Sequence, residues 1–446
     1  MEIPEVFPEI KVEPILKIEL KEERLVEPVK KVVKPFPRGI KISNAILENN
    51  GKRITNRIEV PTPLRYFFKD FNFFVEYEED VSNIPLGVLN IPAMATIIHF
   101  AWVVGCDMYI PELDATYLTG LGKIKKIFER IPLYNALLLN NEVYVENITS
   151  SEFEKTGKRG LLFSGGLDSS AARIRNTPDF LISVWGLDIP LDWDDFWQRF
   201  LKVYQDGSLL PIKSNTLELY DLGRLYGELG QSFTVEYWPS IAYSIVPFGL
   251  AAPIVSNKVD ALMMASTFPL RYYSNPDLLY GKYTPKVDFS YASYRPHYFL
   301  DQHLGWGNIE TYDVDNEYDR PEKVEYIIKP YIEENGPFLI RSCGHRTFLD
   351  FRPDKEKLNC GICKKCLLTA ATLCNSGIDP RDCGFDIREY FFETIKNNIL
   401  SKRFNYPKEQ LFWGEVQRMI PARDEDISTI LPGSKEFFEW LRDYKL

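Results

Sequence analysis

Gly160-Leu161-Leu162-Phe163-Ser164-Gly165-Gly166-Leu167-Asp168-Ser169-Ser170 is the stretch that decides the fold. Gly160 to Phe163 reads as a short buried strand, and the residues through Ala171 to Ile174 as a helix. Between them, two consecutive glycines let backbone N–H groups face one concavity with no Cβ in the way, which builds an anion nest. Ser164 and Ser169 add hydroxyl donors, and the helix N-terminus adds a favourable dipole. Asp168 at the helix start can cap the backbone or approach a magnesium-bridged phosphate. No lysine follows, so this is not the Gly-x-x-x-x-Gly-Lys-Ser/Thr loop. A donor-rich turn without that lysine suits a departing pyrophosphate, with Ser164, Gly165, Gly166, Leu167, Asp168, Ser169 and Ser170 as the phosphate-binding candidates.

Outward from the turn, strand and helix alternate. Phe180 to Gly186 reads as a second strand and Trp193 to Tyr204 as a helix, with Leu209 to Ile212 as a further strand. Ser240 to Val255 follows as a buried helix broken near Pro247, before the strand Ala261 to Ala265. Asn308 to Val314 and then Arg320 to Glu334 supply another strand and helix. This alternation predicts a doubly wound α/β domain, a parallel sheet covered on both faces, with ligands at the carboxyl ends of its strands. Before it, residues 1–155 read as an additional β-rich α+β domain, opening on 36 residues rich in Pro, Glu and Lys. That domain includes a strand over Ile54 to Val60, an apolar helix over Ala93 to Gly105, a strand at Asp107 to Ile110 and an amphipathic helix over Leu118 to Arg130. Val143 to Lys158 reads as a polar, strand-broken boundary. The α/β domain spans 156–375, and residues 376–446 form a helical extension.

Cys360-Gly361-Ile362-Cys363-Lys364-Lys365-Cys366 holds two overlapping Cys-x-x-Cys spacings, with Cys343 upstream. Each spacing lets a tight knuckle point two thiolates at one tetrahedral ion, and Gly361 permits the turn. The four thiolates on Zn²⁺ would form a closed, structural site whose charge Lys364, Lys365, Arg341 and Lys357 could offset. An iron–sulfur cluster uses the same spacing. His345, Cys374 and Cys383 compete for the fourth ligand position.

Composition narrows the classes. The chain has 446 residues, and its charge of 53 − 63 = −10 argues against a general nucleic-acid-coating surface. Seven cysteines, four of them clustered, fit a metal in a reducing compartment rather than a disulfide scaffold. The acidic Met1-Glu2-Ile3-Pro4-Glu5 start is unlike a secretory signal, and the uncharged runs Val81 to Cys106 and Tyr237 to Asn257 are interrupted by prolines. The expectation is a cytoplasmic protein with no membrane span.

The Ser-Gly-Gly-x-Asp-Ser signature resembles that of the PP-loop ATP pyrophosphatases, whose HUP-like domain binds ATP phosphates with this turn. Adding Ser342-Cys343 and Cys360-Gly361-x-Cys363-x-x-Cys366, the chain is similar over about residues 159–375 to the 7-cyano-7-deazaguanine synthase (QueC-like) branch. That resemblance implies ATP with Mg²⁺ at residues 164–170, structural Zn²⁺ on Cys343, Cys360, Cys363 and Cys366, and catalytic roles for Asp168 and Lys323. It implies a C–N ligase that adenylates a carboxylate on a 7-deazaguanine-type substrate, then amidates it, forms a nitrile, or transfers the group to a partner protein. The family's Asp-Tyr-x-Gln-x-His segment is replaced here by Gly186-Leu187-Asp188-Ile189-Pro190, and residues 1–155 have no counterpart in the queuosine enzymes. Longer QueC-like proteins with an N-terminal domain occur in anti-phage defence operons, and this layout is similar to theirs. Two alternatives stand beside this reading, a tRNA-thiolating PP-loop enzyme and a nucleotide-binding subunit of a defence complex.

Weaker candidates are Arg295-Pro296-His297, Gln302-His303, Tyr272-Tyr273 and Tyr291 to Tyr298 as a substrate pocket, and Asp188 beside the second strand. The two histidines read first as satisfied polar loop residues, and the tyrosines equally as ordinary core clusters. Cys106 reads as a small core hydrophobe.

Overall fold

The computed structural model describes residues 39–130, 139–204, 207–225, 227, 242–269, 300–343, 357–401 and 407–446. Five strands, β7 (Arg159–Leu162), β8 (Phe180–Trp185), β9 (Leu209–Ser214), β10 (Ala261–Ala265) and β11 (Glu310–Val314), run parallel in the order β11-β10-β7-β8-β9. The chain therefore starts in the middle, winds out to one edge, and returns to build the other. The reversal lies between β7 and β10, which makes their carboxyl ends the flanks of the ligand crevice in such sheets.

Both faces are covered, as the alternation predicts. Leu161, Phe163 and Met263 point to one face and pack with Phe196, Trp197, Phe200 and Tyr204. The last four lie on the helix Asp194–Tyr204. Leu162, Leu262 and Met264 point to the other face and pack with Phe248, Leu250 and Ala251 of the helix Ile245–Val255. The period of two along each strand divides the side chains between the layers. Pro247 does not break that helix. It stands in the first turn, where its missing N–H has no carbonyl partner to lose.

The sheet continues beyond β9 into residues 40–149. β4 (Asn72–Tyr77) pairs antiparallel with β9, and beyond it lie β3 (Arg53–Glu59), β1 (Ile40–Ile42), β5 (Met108–Asp114) and β6 (Val143–Thr149). The short β2 (Ile46–Glu48) pairs with β3, which completes eleven strands among the described residues. The stretch read as strand-broken is thus β6 at the sheet edge. Val145 is its one buried residue, which explains why no apolar alternation marks it. The apolar helix is Ile91–Val104, buried almost throughout and packed on Ile245–Val255. A Cβ on Gly249 would sit 2.2 Å from that of Ala95, so glycine is what permits this approach. No helix among the described residues is long and apolar enough to cross a membrane.

The described residues between 320 and 446 are mostly helical and share one core. The helix Leu167–Asn176, labelled α1, contributes Leu167 and Ala171 to that core. Lys364–Asn375, labelled α2, contributes Cys366 and Leu367. The segment that carries the cysteines is therefore packed against the helix that the glycine turn opens.

Candidate phosphate turn and metal centre

The glycine turn leaves β7 at the crevice and enters α1. Gly165 has φ +72°, and a Cβ there would lie 2.9 Å from the Tyr204 ring. Two constraints, a left-handed backbone and a packed aromatic, therefore require glycine. Gly166 is the N-cap residue of α1, and no side chain caps that end. The first N–H groups of a helix have no internal acceptor, so this end is available to an anion. The hydroxyls are used locally: Ser169 Oγ donates to Gly166 O at 3.2 Å, Ser170 Oγ to Gly165 O at 3.3 Å, and Ser164 Oγ lies 3.3 Å from Ser169 Oγ.

Asp168 meets two cations. Arg320 Nη2 and Nε donate to Oδ2 at 2.8 and 3.1 Å, and Lys323 Nζ to Oδ1 at 3.2 Å. Burial alone would raise the Asp168 pKa, but the Arg320 and Lys323 charges and their hydrogen bonds bring it below its ordinary value. Lys323, a helix residue that could have stood in solvent beside Glu322 or Glu325, is fully buried and also donates to Ser266 O just past β10. A capping box of Asp319 and Glu322 fixes the start of that helix, and Arg418 binds both carboxylates. Arg320 is the site residue that sequence reasoning left without a role. Its position three residues before Lys323, on the same face of a helix, was the available signal.

Near Lys323 lie two further carboxylates, Asp301 and Asp313, whose oxygens are sealed from solvent, with Ser244 facing Asp301 and Ser266 and Asn316 facing Asp313. Asp313 is raised to about 8, chiefly by burial, with the Lys323 charge opposing. Burial and then the Asp313 charge also push Asp301 up.

The Sγ atoms of Cys343, Cys360, Cys363 and Cys366 all lie within 4.8 Å of one another. Thiolates on one tetrahedral ion at about 2.3 Å stand about 3.8 Å apart, and Cys360 Sγ to Cys366 Sγ is 3.8 Å. The donor set and its spacing fit one soft or borderline ion such as zinc. Two backbone N–H groups already turn toward sulfur, Cys363 N to Cys360 Sγ at 3.3 Å and Cys366 N to Cys363 Sγ at 3.4 Å. Gly361 has φ +68°, and a Cβ there would lie 2.4 Å from Asp386 O. Cys374 and Cys383 are buried outside this group.

Three residues that no motif signalled join the two centres. Asn359 Oδ1 accepts from Ser342 N at 2.7 Å and Cys343 N at 3.2 Å, while its Nδ2 donates to Ile340 O at 2.7 Å and Gly384 O at 3.1 Å. Arg341 N donates to Gly165 O at 2.7 Å. The Tyr204 hydroxyl lies 3.4 Å from Gly165 O and donates to Leu339 O at 3.1 Å. Of the residues expected to balance the thiolate charge, Arg341 is spent on backbone carbonyls and Lys357 pairs with Asp386 at 2.9 Å.

Asp188 is exposed, and its carbonyl accepts from Arg341 Nη2 at 3.0 Å. Gln302 is exposed and His303 partly buried, and the His303 carbonyl abuts Gly120. Cys106 is a buried core residue. Tyr272, Tyr273, Tyr291 to Tyr298, Arg295, His297 and His345 lie outside the described residues.

No protein-family model, no curated protein and no solved structure matches the chain.

Proposed function

We propose that the chain is an ATP-dependent C–N ligase of the PP-loop, QueC-like kind, which adenylates a carboxylate on a 7-deazaguanine-type substrate. One observation carries the reading: a Ser-Gly-Gly-x-Asp-Ser turn follows the central strand at the sheet's reversal point, with an uncapped helix and two cations beside it. Backbone N–H groups of residues 165–169 would hold the phosphates, and Arg320 and Lys323 would balance the charge that accumulates as pyrophosphate leaves. Asp168 holds those two cations in place and is the carboxylate nearest the turn for Mg²⁺, which would shield the phosphate oxygens. The reaction balances in two steps. A substrate carboxylate oxygen bonds to the α-phosphorus as pyrophosphate departs; an amine then bonds to the acyl carbon as AMP departs.

Zinc on the four cysteines is the proposed structural ion. Four sulfurs gathered around one point suit a single ion better than a cluster whose cysteines bind different irons, which weighs against the tRNA-thiolating alternative. The amine would be ammonia or a group on a partner protein, as the defence-operon resemblance suggests. The test is pyrophosphate release from ATP and Mg²⁺ with and without 7-carboxy-7-deazaguanine and ammonium. Release that requires the purine supports the reading, and ATP binding without any release would instead favour a nucleotide-binding subunit.

A further inference from the structure

Between the glycine turn and the cysteine knuckle runs a strap, residues 339–343, that is bonded to both. On the turn side, Arg341 contributes most of the contacts: its N–H reaches Gly165 O at 2.7 Å, Nη1 reaches Ser164 O at 3.0 Å, and Nη2 reaches Asp188 O at 3.0 Å. Three carbonyls, of Ser164, Gly165 and Asp188, are thus gathered by one residue that is 6% exposed, two of them by its side chain and one by its backbone N–H. On the knuckle side, Cys343 stands two residues further along, and Asn359, the neighbour of Cys360, clamps the N–H groups of Ser342 and Cys343.

We propose that Arg341 is a positioning residue through which metal occupancy of the four cysteines sets the nucleotide-holding shape of the turn. The proposal rests on the reading of that turn as an ATP site. The physical argument concerns what pins each end of the strap. With an ion bound, Cys343 is fixed to Cys360, Cys363 and Cys366, and Arg341 has little freedom left. Without one, four thiols have no strong mutual attraction, and the strap's hold on the knuckle reduces to the Asn359 bonds and to those of Ser342 Oγ with Lys365 O at 3.1 Å and Thr369 Oγ1 at 2.7 Å. The turn is sensitive to such a loss, because its left-handed Gly165 backbone is held by carbonyl contacts from Arg341 and Tyr204 rather than by a ladder of its own. The Arg341 guanidinium bonds to carbonyl oxygens of Ser164, Asp188 and Cys343, which leave its charge beside the turn as a favourable contribution for an anion.

The experiment is a four-cornered cycle on the full chain, read with a fluorescent ATP analogue. Wild type and Arg341→Ala are each measured metal-loaded and after chelation, with metal content and melting temperature followed in parallel. Chelation should weaken ATP binding by about tenfold or more in the wild type, as should Arg341→Ala with its metal retained, and the two effects should not multiply. Arg341→Lys should not rescue, since one ammonium cannot span both carbonyls. Because chelation could also unfold the protein, the reverse direction is measured on loaded protein: saturating ATP should slow metal loss to a competing chelator in the wild type but not in Arg341→Ala. Multiplying effects, or ATP affinity and metal loss indifferent to each other, overturn the coupling alone. Failure of loaded wild type to bind ATP at all overturns both the coupling and the ATP-site reading.

Discussion

Two glycine turns in this protein open helices in nearly the same way and end in opposite states. Gly165 and Gly361 have φ +72° and +68°, and each precedes a helix start within a few residues. At α2 the helix end is closed, because Cys363 is its N-cap and accepts from Cys366 N. At α1 it is open, with no side-chain cap and two cations converging on Asp168. A closed end can supply ligands to a resident ion, whereas an open end keeps N–H groups that an anion could take. The difference teaches that a glycine turn before a helix is not by itself a site. What the first turn of the helix does with its N–H groups decides.

The largest effect is expected at the open turn. Asp168→Asn keeps the side-chain shape but removes the charge that holds Arg320 and Lys323, and should lower pyrophosphate release by about 10²-fold or more. Near-wild-type release would break the contrast. Asn is the cleaner variant, because Asp168→Ala would leave fully buried Lys323 with no group in place of the carboxylate and only the Ser266 carbonyl to bond, at a cost of about 3–5 kcal/mol.

At the closed turn, Cys366→Ser should release the metal and lower the melting temperature of the segment packed around it, whereas Cys374→Ser, outside the group, should keep the metal. Metal content of the two purified variants checks this, and equal loss in both would refute the four-ligand assignment.

The glycines themselves sharpen the comparison. Gly361→Ala drives a Cβ to 2.4 Å from a backbone oxygen, while Gly165→Ala meets a tyrosine ring at 2.9 Å, and Gly377→Ala, also at positive φ, meets nothing within 4 Å. Chemical denaturation should rank the losses in that order, from several kcal/mol at Gly361 down to about 1 kcal/mol at Gly377. Gly165→Ala should in addition weaken ATP binding. An equal cost at all three would mean that backbone strain alone, not the surroundings, sets the requirement.

The smallest effect is on pH. Asp313 and Asp301 hold protons in the folded state that the unfolded chain releases near 3.8, so the stability they contribute is present below that value and fades as pH rises through about 8. Asp168 acts oppositely, since its lowered value makes its contribution fade on acidification. Unfolding free energy should therefore fall between about pH 5.5 and pH 8.5, and Asp313→Asn should flatten that slope. An unchanged slope in the variant would place the pH dependence elsewhere.

What was legible in the sequence was local. The glycine turn, the flanking strand and helix, and the cysteine spacings each lie within a few residues, so their geometry follows from short-range rules. Lys323 was named through the family resemblance rather than by a local rule, and its burial beside Asp168 could not be read from its neighbours in sequence. Arg341, Asn359 and Tyr204 were not, since they act on carbonyls and N–H groups, which carry no residue identity, and Tyr204 spans to residues 165 and 339. The pairing of β4 with β9 was hidden for a similar reason: Val75 opposite Ser214 joins segments about 140 residues apart, and nothing in either strand names its partner.

The central claim is that the open turn spends ATP on a carboxylate. The most direct measurement is pyrophosphate release by metal-loaded full-length protein with ATP, Mg²⁺, 7-carboxy-7-deazaguanine and ammonium, beside Asp168→Asn. The account predicts release that depends on the purine and is lost in the variant. Purine-independent release that survives in Asp168→Asn would contradict it.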